Sequence, residues 1–159
     1  MKIDIIAIGK IKESYLREAI GEYTKRLRLY ADVNIIECME DKMPDNPSSA
    51  DKAKVLQKEG DKLLKMVKDQ SFITVLDPGG RKMTSEHLAD FLSEKGLAGR
   101  SHMTFIIGGA YGLSDNIKKK ADLMLSFSDF TFTHQMIRLL LVEQVYRAFK
   151  IINNEKYHN

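Results

Sequence analysis

Three groups of residues in this chain have types and spacings that can do chemistry. The first is Phe105-Ile106-Ile107-Gly108-Gly109-Ala110-Tyr111-Gly112-Leu113-Ser114, an apolar strand running into three glycines and then a helix start. Glycine has no Cβ, so a ligand or another chain segment can lie directly on the main chain there. In α/β proteins the carboxyl end of a strand is where ligands usually sit. No Lys-Ser/Thr follows the glycines and they do not form G-x-G-x-x-G, so neither a P-loop nor a dinucleotide fingerprint is present. A ligand at this turn would be read by backbone amides and carbonyls; a tight strand-to-helix connection is the alternative.

The second group is His134, Arg138, Glu143 and Arg147. A histidine at a helix start can serve as a general base or simply hydrogen-bond locally. Arg138 and Arg147 offer guanidinium groups to RNA phosphate or a substrate base, or else pair with Glu143, which precedes Arg147 at i,i+4 spacing. The third group is the terminal Tyr157-His158, an aromatic ring able to stack on a base beside a titratable imidazole. A frayed chain end is the ordinary alternative. No cluster has metal-ligand spacing, and Cys38 lacks the surroundings of a nucleophile. His87 and His102 read as surface residues without partners.

Composition narrows the elements that can position these groups. With 159 residues, 43% of them hydrophobic, the chain suits one compact domain with a real core. Twenty-five basic and twenty-two acidic residues leave a formal charge of +3, too small to coat a polyanion, so any nucleic-acid contact must be a local patch. The single cysteine points to a reducing compartment, and neither a membrane-spanning run nor a signal-peptide pattern is visible, so a cytoplasmic protein is expected.

Five apolar runs read as strands: Ile3 to Ile8, Val33 to Cys38, Phe72 to Leu76, Met103 to Ile107 and Leu123 to Phe127. Between the first two, Leu16, Ile20, Tyr23, Leu27 and Tyr30 line one helical face. Ser48 or Ser49 opens a second helix through Val67, and Thr84 or Ser85 a third that ends at Gly96 or Gly99. Asp115 to Lys120 forms a short fourth. Strands alternating with helices predict a largely parallel α/β sheet covered on both faces. From Gln135 to Ile152 a final helix is apolar on nearly every side. One sheet face of so small a domain should not cover it, which predicts a second subunit.

The order of these features closely resembles the RlmH family of bacterial large-subunit ribosomal RNA methyltransferases, in the SPOUT class. The resemblance rests on Ile107-Gly108-Gly109-x-x-Gly112-Leu113, then Leu125-Ser126-Phe127-Ser128-Asp129-Phe130-Thr131-Phe132-Thr133-His134 with Arg138 four residues on. Val142-Glu143-Gln144-Val145-Tyr146-Arg147-Ala148 and the terminal Tyr157-His158 complete it. It spans residues 1–159 as a single domain and implies a deep trefoil knot within about 103–152.

The resemblance also implies S-adenosylmethionine as cofactor and methylation of N3 of a pseudouridine in 23S rRNA, by a homodimer acting on assembled ribosomes. The implied cofactor residues are Leu76, Gly108, Phe127, Ser128, Asp129, Phe130, Thr131 and Phe132. The implied substrate-binding or base residues are His134, Arg147, Tyr157 and His158, with no metal and no membrane. One departure is Thr133, where the family places a φ-restricting proline. A tail leaving an interfacial helix is expected to reach its partner's cofactor loop. Two other readings remain open: a non-catalytic ribosome-binding or assembly module, and a small regulator that binds an adenine ligand at the glycine turn.

Overall fold

The structure, a computed structural model, describes residues 1–99 and 102–157. Five strands, β1 (Lys2–Ile8), β2 (Asp32–Cys38), β3 (Phe72–Lys82), β4 (His102–Ile107) and β5 (Leu123–Ser126), form one sheet in the order β2-β1-β4-β3-β5. Every pairing is parallel. Each strand must therefore return through a crossover, and α1 (Ser14–Leu27), α2 (Ser49–Met66), α3 (Ser85–Leu97) and α4 (Asp115–Lys120) supply four of them. The chain closes with α5 (Met136–Ile152).

Alternation along β1 assigns the helices to faces, because successive side chains point to opposite sides of a sheet. Ile3, Ile5 and Ala7 pack with α1, α3 and α5 in the larger core, while Ile6 and Ile8 pack with Leu63 of α2 and Ile117 of α4 in the smaller one. Both faces are covered, as the near-continuous apolar strands require. Among the described residues no helix is long and apolar enough to cross a membrane.

The helix boundaries follow local chemistry. Ser48 caps α2 in a capping box: its hydroxyl accepts the Asp51 N–H at 3.1 Å, and the Asp51 carboxylate accepts the Ser48 N–H at 3.0 Å. Thr84 caps α3 by accepting the His87 N–H at 3.2 Å, and Gly99 follows that helix at φ +73°. α1 is shorter than its apolar stripe. It stops at Leu27, whose carbonyl accepts both the Tyr30 and Ala31 N–H groups, and Tyr30 reaches the core from that turn by stacking on Phe149 at 5.9 Å.

Two expectations change with the fold in view. His102 is not a lone surface residue: parallel pairing of β1 with β4 puts it beside buried Asp4, whose carboxylate lies 2.8 Å from its Nε2. α5 needs less help than its composition suggested. It is wedged against α1 and α3, and none of its residues is fully exposed even in a single chain. Met136, Ile137, Leu139 and Leu140 stay half-buried in the first turns of the helix.

Candidate functional site

β3 runs further than its apolar pattern predicts and builds one wall of the site. After Leu76 pairs with Leu125, residues 77–80 leave the ladder, and Arg81 resumes it opposite Leu125 again. The excursion is Asp77-Pro78-Gly79-Gly80, a turn-forming string. A Cβ on Gly80 would lie 2.7 Å from the backbone of Met124 and Leu125, so the bulge closes against β5 only because that position is glycine. Asp77 braces it by accepting the Gly79 N–H at 2.9 Å and pairing with Lys118 of α4 at 2.7 Å. Burial pushes the Asp77 carboxyl up, but Lys118 and the Gly79 N–H outweigh it and hold the group below the usual carboxylate range.

The second wall is the glycine turn after β4. Gly109 and Gly112 bridge each other, and Gly112 takes φ +85°. A Cβ on Gly108 would come within 2.6 Å of the Gly112 carbonyl oxygen, so the tight turn itself demands glycine there. The third wall is the segment from Phe127 to His134. It is organised by its own serines: Ser126 Oγ donates to the Ser128 carbonyl at 3.2 Å, and Ser128 Oγ accepts the Phe130 N–H at 3.0 Å.

These walls enclose an open cleft of about 270 Å³. Leu76, Gly108, Phe127, Ser128, Phe130, Thr131 and Phe132, picked out above as cofactor residues, all line it. Asp129 does not; it turns outward to Lys82 and its side chain is 83% exposed. Sequence reasoning missed Asp77 and Pro78 in the wall, although the Pro-Gly-Gly turn after an apolar strand was a readable signal. The lining is apolar and aromatic with backbone groups and a few hydroxyls, which fits the adenine ring and methionine chain of S-adenosylmethionine. Gly108 lines this space, so its main chain is accessible from the cleft.

His134 stands at the lip of the cleft, half-buried. Burial, reinforced by the positive charge of Arg138, pulls its imidazole below the usual histidine range, so it stays neutral and able to accept a proton near neutral pH. Thr133, where the resemblance implied a proline, stiffens the loop end in another way: its hydroxyl accepts the Met136 N–H at 3.2 Å and its carbonyl accepts the Ile137 N–H at 3.0 Å. It thus caps the first turn of α5 where proline has no side chain to do so.

The arginines divide. Arg138 is no RNA ligand: it has no exposed surface, and its guanidinium donates to the carbonyls of Ile8, Gly9 and His134. Its spacing from His134 buries it because one helical turn carries it under the loop instead of outward. Arg147 does pair with Glu143, at 2.8 Å, and lies 4.8 Å over the ring of Tyr157. Tyr157 is docked rather than frayed, with its ring 4.9 Å from that of Tyr146. Its hydroxyl donates to Glu143 at 3.1 Å and lies 3.2 Å from that of Tyr23. His158 lies outside the described residues.

The fold therefore brings His134 to the cleft but leaves Arg147 and Tyr157 elsewhere. Arg147 is ten residues beyond the cleft-lining Ile137, a rise of about 15 Å along α5. Among the described residues, no three His, Cys, Asp or Glu side chains are placed to hold a metal ion.

Comparison with known proteins agrees with this geometry. A family model described as "Predicted SPOUT methyltransferase" matches residues 1–158. The chain is 54% identical over 158 residues to the ribosomal RNA large subunit methyltransferase H of Halothermothrix orenii, covering 99% of both chains. It is 50% identical to the protein of the same name from Carboxydothermus hydrogenoformans, again covering 99% of both. A solved structure of a "probable methylase family protein" from Haemophilus influenzae Rd KW20 shares the fold at a TM-score of 0.52 and 16% identity, covering 99% of this chain and 70% of that one. With its parallel sheet, its glycine-walled cleft and full-length identity near one half, this chain belongs to the SPOUT methyltransferases and, among them, to the ribosomal RNA large subunit methyltransferase H family.

Proposed function

We propose that this chain methylates N3 of a pseudouridine in 23S rRNA on assembled ribosomes, with S-adenosylmethionine as methyl donor. One observation carries the reading: the glycine turn, the β3 bulge and the Phe127–Phe132 loop converge on one cleft with His134 at its lip. The cofactor, when bound, supplies a methyl group already activated on a sulfonium. The chain's own residues must then hold it, orient the base and help N3 lose its proton. Gly108 and the loop around Ser128 offer backbone groups, Leu76, Phe127 and Phe132 offer apolar surface, and His134 is placed to take the proton.

Arg147, Tyr157 and His158 complete the site in this reading, and the distance along α5 says how. One chain cannot bring Tyr157 to its own cleft without undocking it. A homodimer packed through the half-buried apolar residues of α5 can present one subunit's tail to the other's cleft. Each apolar side chain buried there stabilises by roughly 1.5–3 kcal/mol. The trefoil knot belongs to the same reading, since the loop after β5 lies against the glycine turn before α5 returns beside β1. Action on ribosomes places the protein in the cytoplasm.

The direct test is mass spectrometry of nucleosides from unmodified ribosomes incubated with the protein and labelled cofactor. N3-methylated pseudouridine is expected. Cofactor binding without turnover would favour a non-catalytic module, and absence of binding would sink the reading. Deleting Tyr157, His158 and Asn159 is expected to leave cofactor affinity within about twofold and to reduce methylation by about a hundredfold or more, as loss of substrate positioning does. Activity regained on exchanging subunits between this deletion and a Gly108 variant would place the tail in trans. Failure to regain it, with exchange verified, would place it in cis.

A further inference from the structure

Arg138 presents an unspent cost. It is the only charged side chain with no exposed surface among the described residues, and burying a guanidinium is expensive unless every donor is engaged. Its bonds go to the Ile8 carbonyl at 2.5 Å, the Gly9 carbonyl at 2.9 Å, the His134 carbonyl at 3.1 Å and the Glu37 carboxylate at 3.2 Å. Most of these partners surround the short loop between β1 and α1. The same loop is tied at three more points. The Ile11 N–H donates to Glu37 at 2.8 Å, the Lys12 N–H donates to the Gln135 side chain at 2.8 Å, and Arg17 donates to the Ile11 carbonyl at 2.8 Å. A surface loop without helix or strand is thus pinned from β2 and from the start of α5.

What the pinned loop displays is positive charge. Ile11 is buried, while Lys10 and Lys12 on either side of it are exposed, as is Arg17 on the first turn of α1. None of the three joins an ion pair among the described residues, whereas Lys62, Lys82, Lys118 and Lys150 all do. The loop adjoins the cleft: a Cβ on Gly9 would lie 3.4 Å from His134 Nε2, and the charge of Lys12 is felt at that imidazole. The acidic neighbours are Glu13 and Glu18 on either side of the first turn of α1, Glu40, and Glu37, the last already paired with Arg138.

We propose that residues Lys10 and Lys12, with Arg17 behind them, form a ledge that holds the phosphate backbone of the substrate RNA beside the cleft, and that Arg138 is the positioning residue that fixes this ledge relative to His134. The proposal rests on the rRNA-methyltransferase reading above. An RNA strand whose base enters the cleft past His134 must run its backbone over this lip, and a loop whose main chain is already pinned loses little backbone entropy on binding it. They also explain how a chain of net charge +3 engages a polyanion locally.

The test compares wild type with Lys10→Ala/Lys12→Ala, using unmodified ribosomes at several salt concentrations. Both lysines are exposed, so the double variant is expected to fold. Its affinity for S-adenosylmethionine and its kcat at saturating ribosome should stay within about twofold of wild type. KM should rise about tenfold or more, and the fall of log(kcat/KM) with log[salt] should be shallower by about 1.4, or roughly 0.7 per lost phosphate contact. A wild-type KM and salt slope in the double variant would overturn the ledge while leaving the methyltransferase reading intact. A loss confined to kcat would overturn it too. A wild-type protein that methylates no ribosome would sink both.

Discussion

Gly108→Val is expected to lose S-adenosylmethionine binding by about a hundredfold or more in calorimetry. Any Cβ at this position would meet the Gly112 carbonyl oxygen at 2.6 Å, its carbon at 2.8 Å and the Leu113 side chain at 2.9 Å. The first two are backbone and cannot swing aside, so the turn must open. Overpacking of this kind costs about 1–3 kcal/mol, and the displaced backbone is the surface that would hold the ligand. The turn sits at the end of β4, beyond the ladder that joins β4 to β1 and β3, so thermal unfolding should stay cooperative. Normal cofactor affinity in a folded Gly108→Val protein would reduce the turn to a connection. Gly112, which has open space at its Cβ position but φ +85°, should tolerate alanine with a smaller loss, because only backbone strain opposes it.

Arg138→Met should be the most destabilising single change outside the apolar core, by about 3–5 kcal/mol in chemical denaturation. It would strand the carbonyls of Ile8, Gly9 and His134 without their common donor and leave Glu37 without its counter-charge. That is a large share of the roughly 5–15 kcal/mol by which domains are stable. Arg138→Lys should recover only part of it, since a single ammonium cannot span partners on the end of β1 and the start of α5 at once. If Arg138→Met unfolds at the wild-type denaturant concentration, the buried network contributes nothing and the pinning of the β1–α1 loop has no energetic basis.

The chemistry at His134 depends on the same network. Burial lowers the His134 imidazole below the usual histidine range, and the charge of Arg138, one helical turn along, adds to the shift. The proposed acceptor of the N3 proton is thus conditioned by a residue that never reaches solvent. A sequence reading ranks Arg138 among RNA ligands because nothing in a linear string distinguishes an arginine aimed outward from one folded under a loop.

Periodicity alone determined most of this architecture. The five apolar runs became five strands, Ser48 and Thr84 capped α2 and α3 as expected, α4 kept its expected bounds, and the glycine turn landed at the end of β4. These features are local: strand alternation, Ser48 and Thr84 capping and the intolerance of Gly108 to a Cβ depend on neighbours a few residues away. The wall from Phe127 to Phe132 was legible only through the family resemblance, because the same aromatic side chains read by themselves fit ordinary core packing better than a pocket.

Only the tertiary structure decided the rest. The return of β3 after Asp77-Pro78-Gly79-Gly80 depends on β5 offering its backbone at Gly80, a contact some forty residues distant. Asp129 and His102 took their partners, Lys82 and Asp4, from strands that became neighbours only when the sheet order was set. The placement of Arg147 and Tyr157 away from the cleft, and of Lys10 and Lys12 beside it, follows from how α5 lies across β1 and α1. Such juxtapositions come from minimising exposed apolar area over the whole chain, a global condition that no local window of sequence contains.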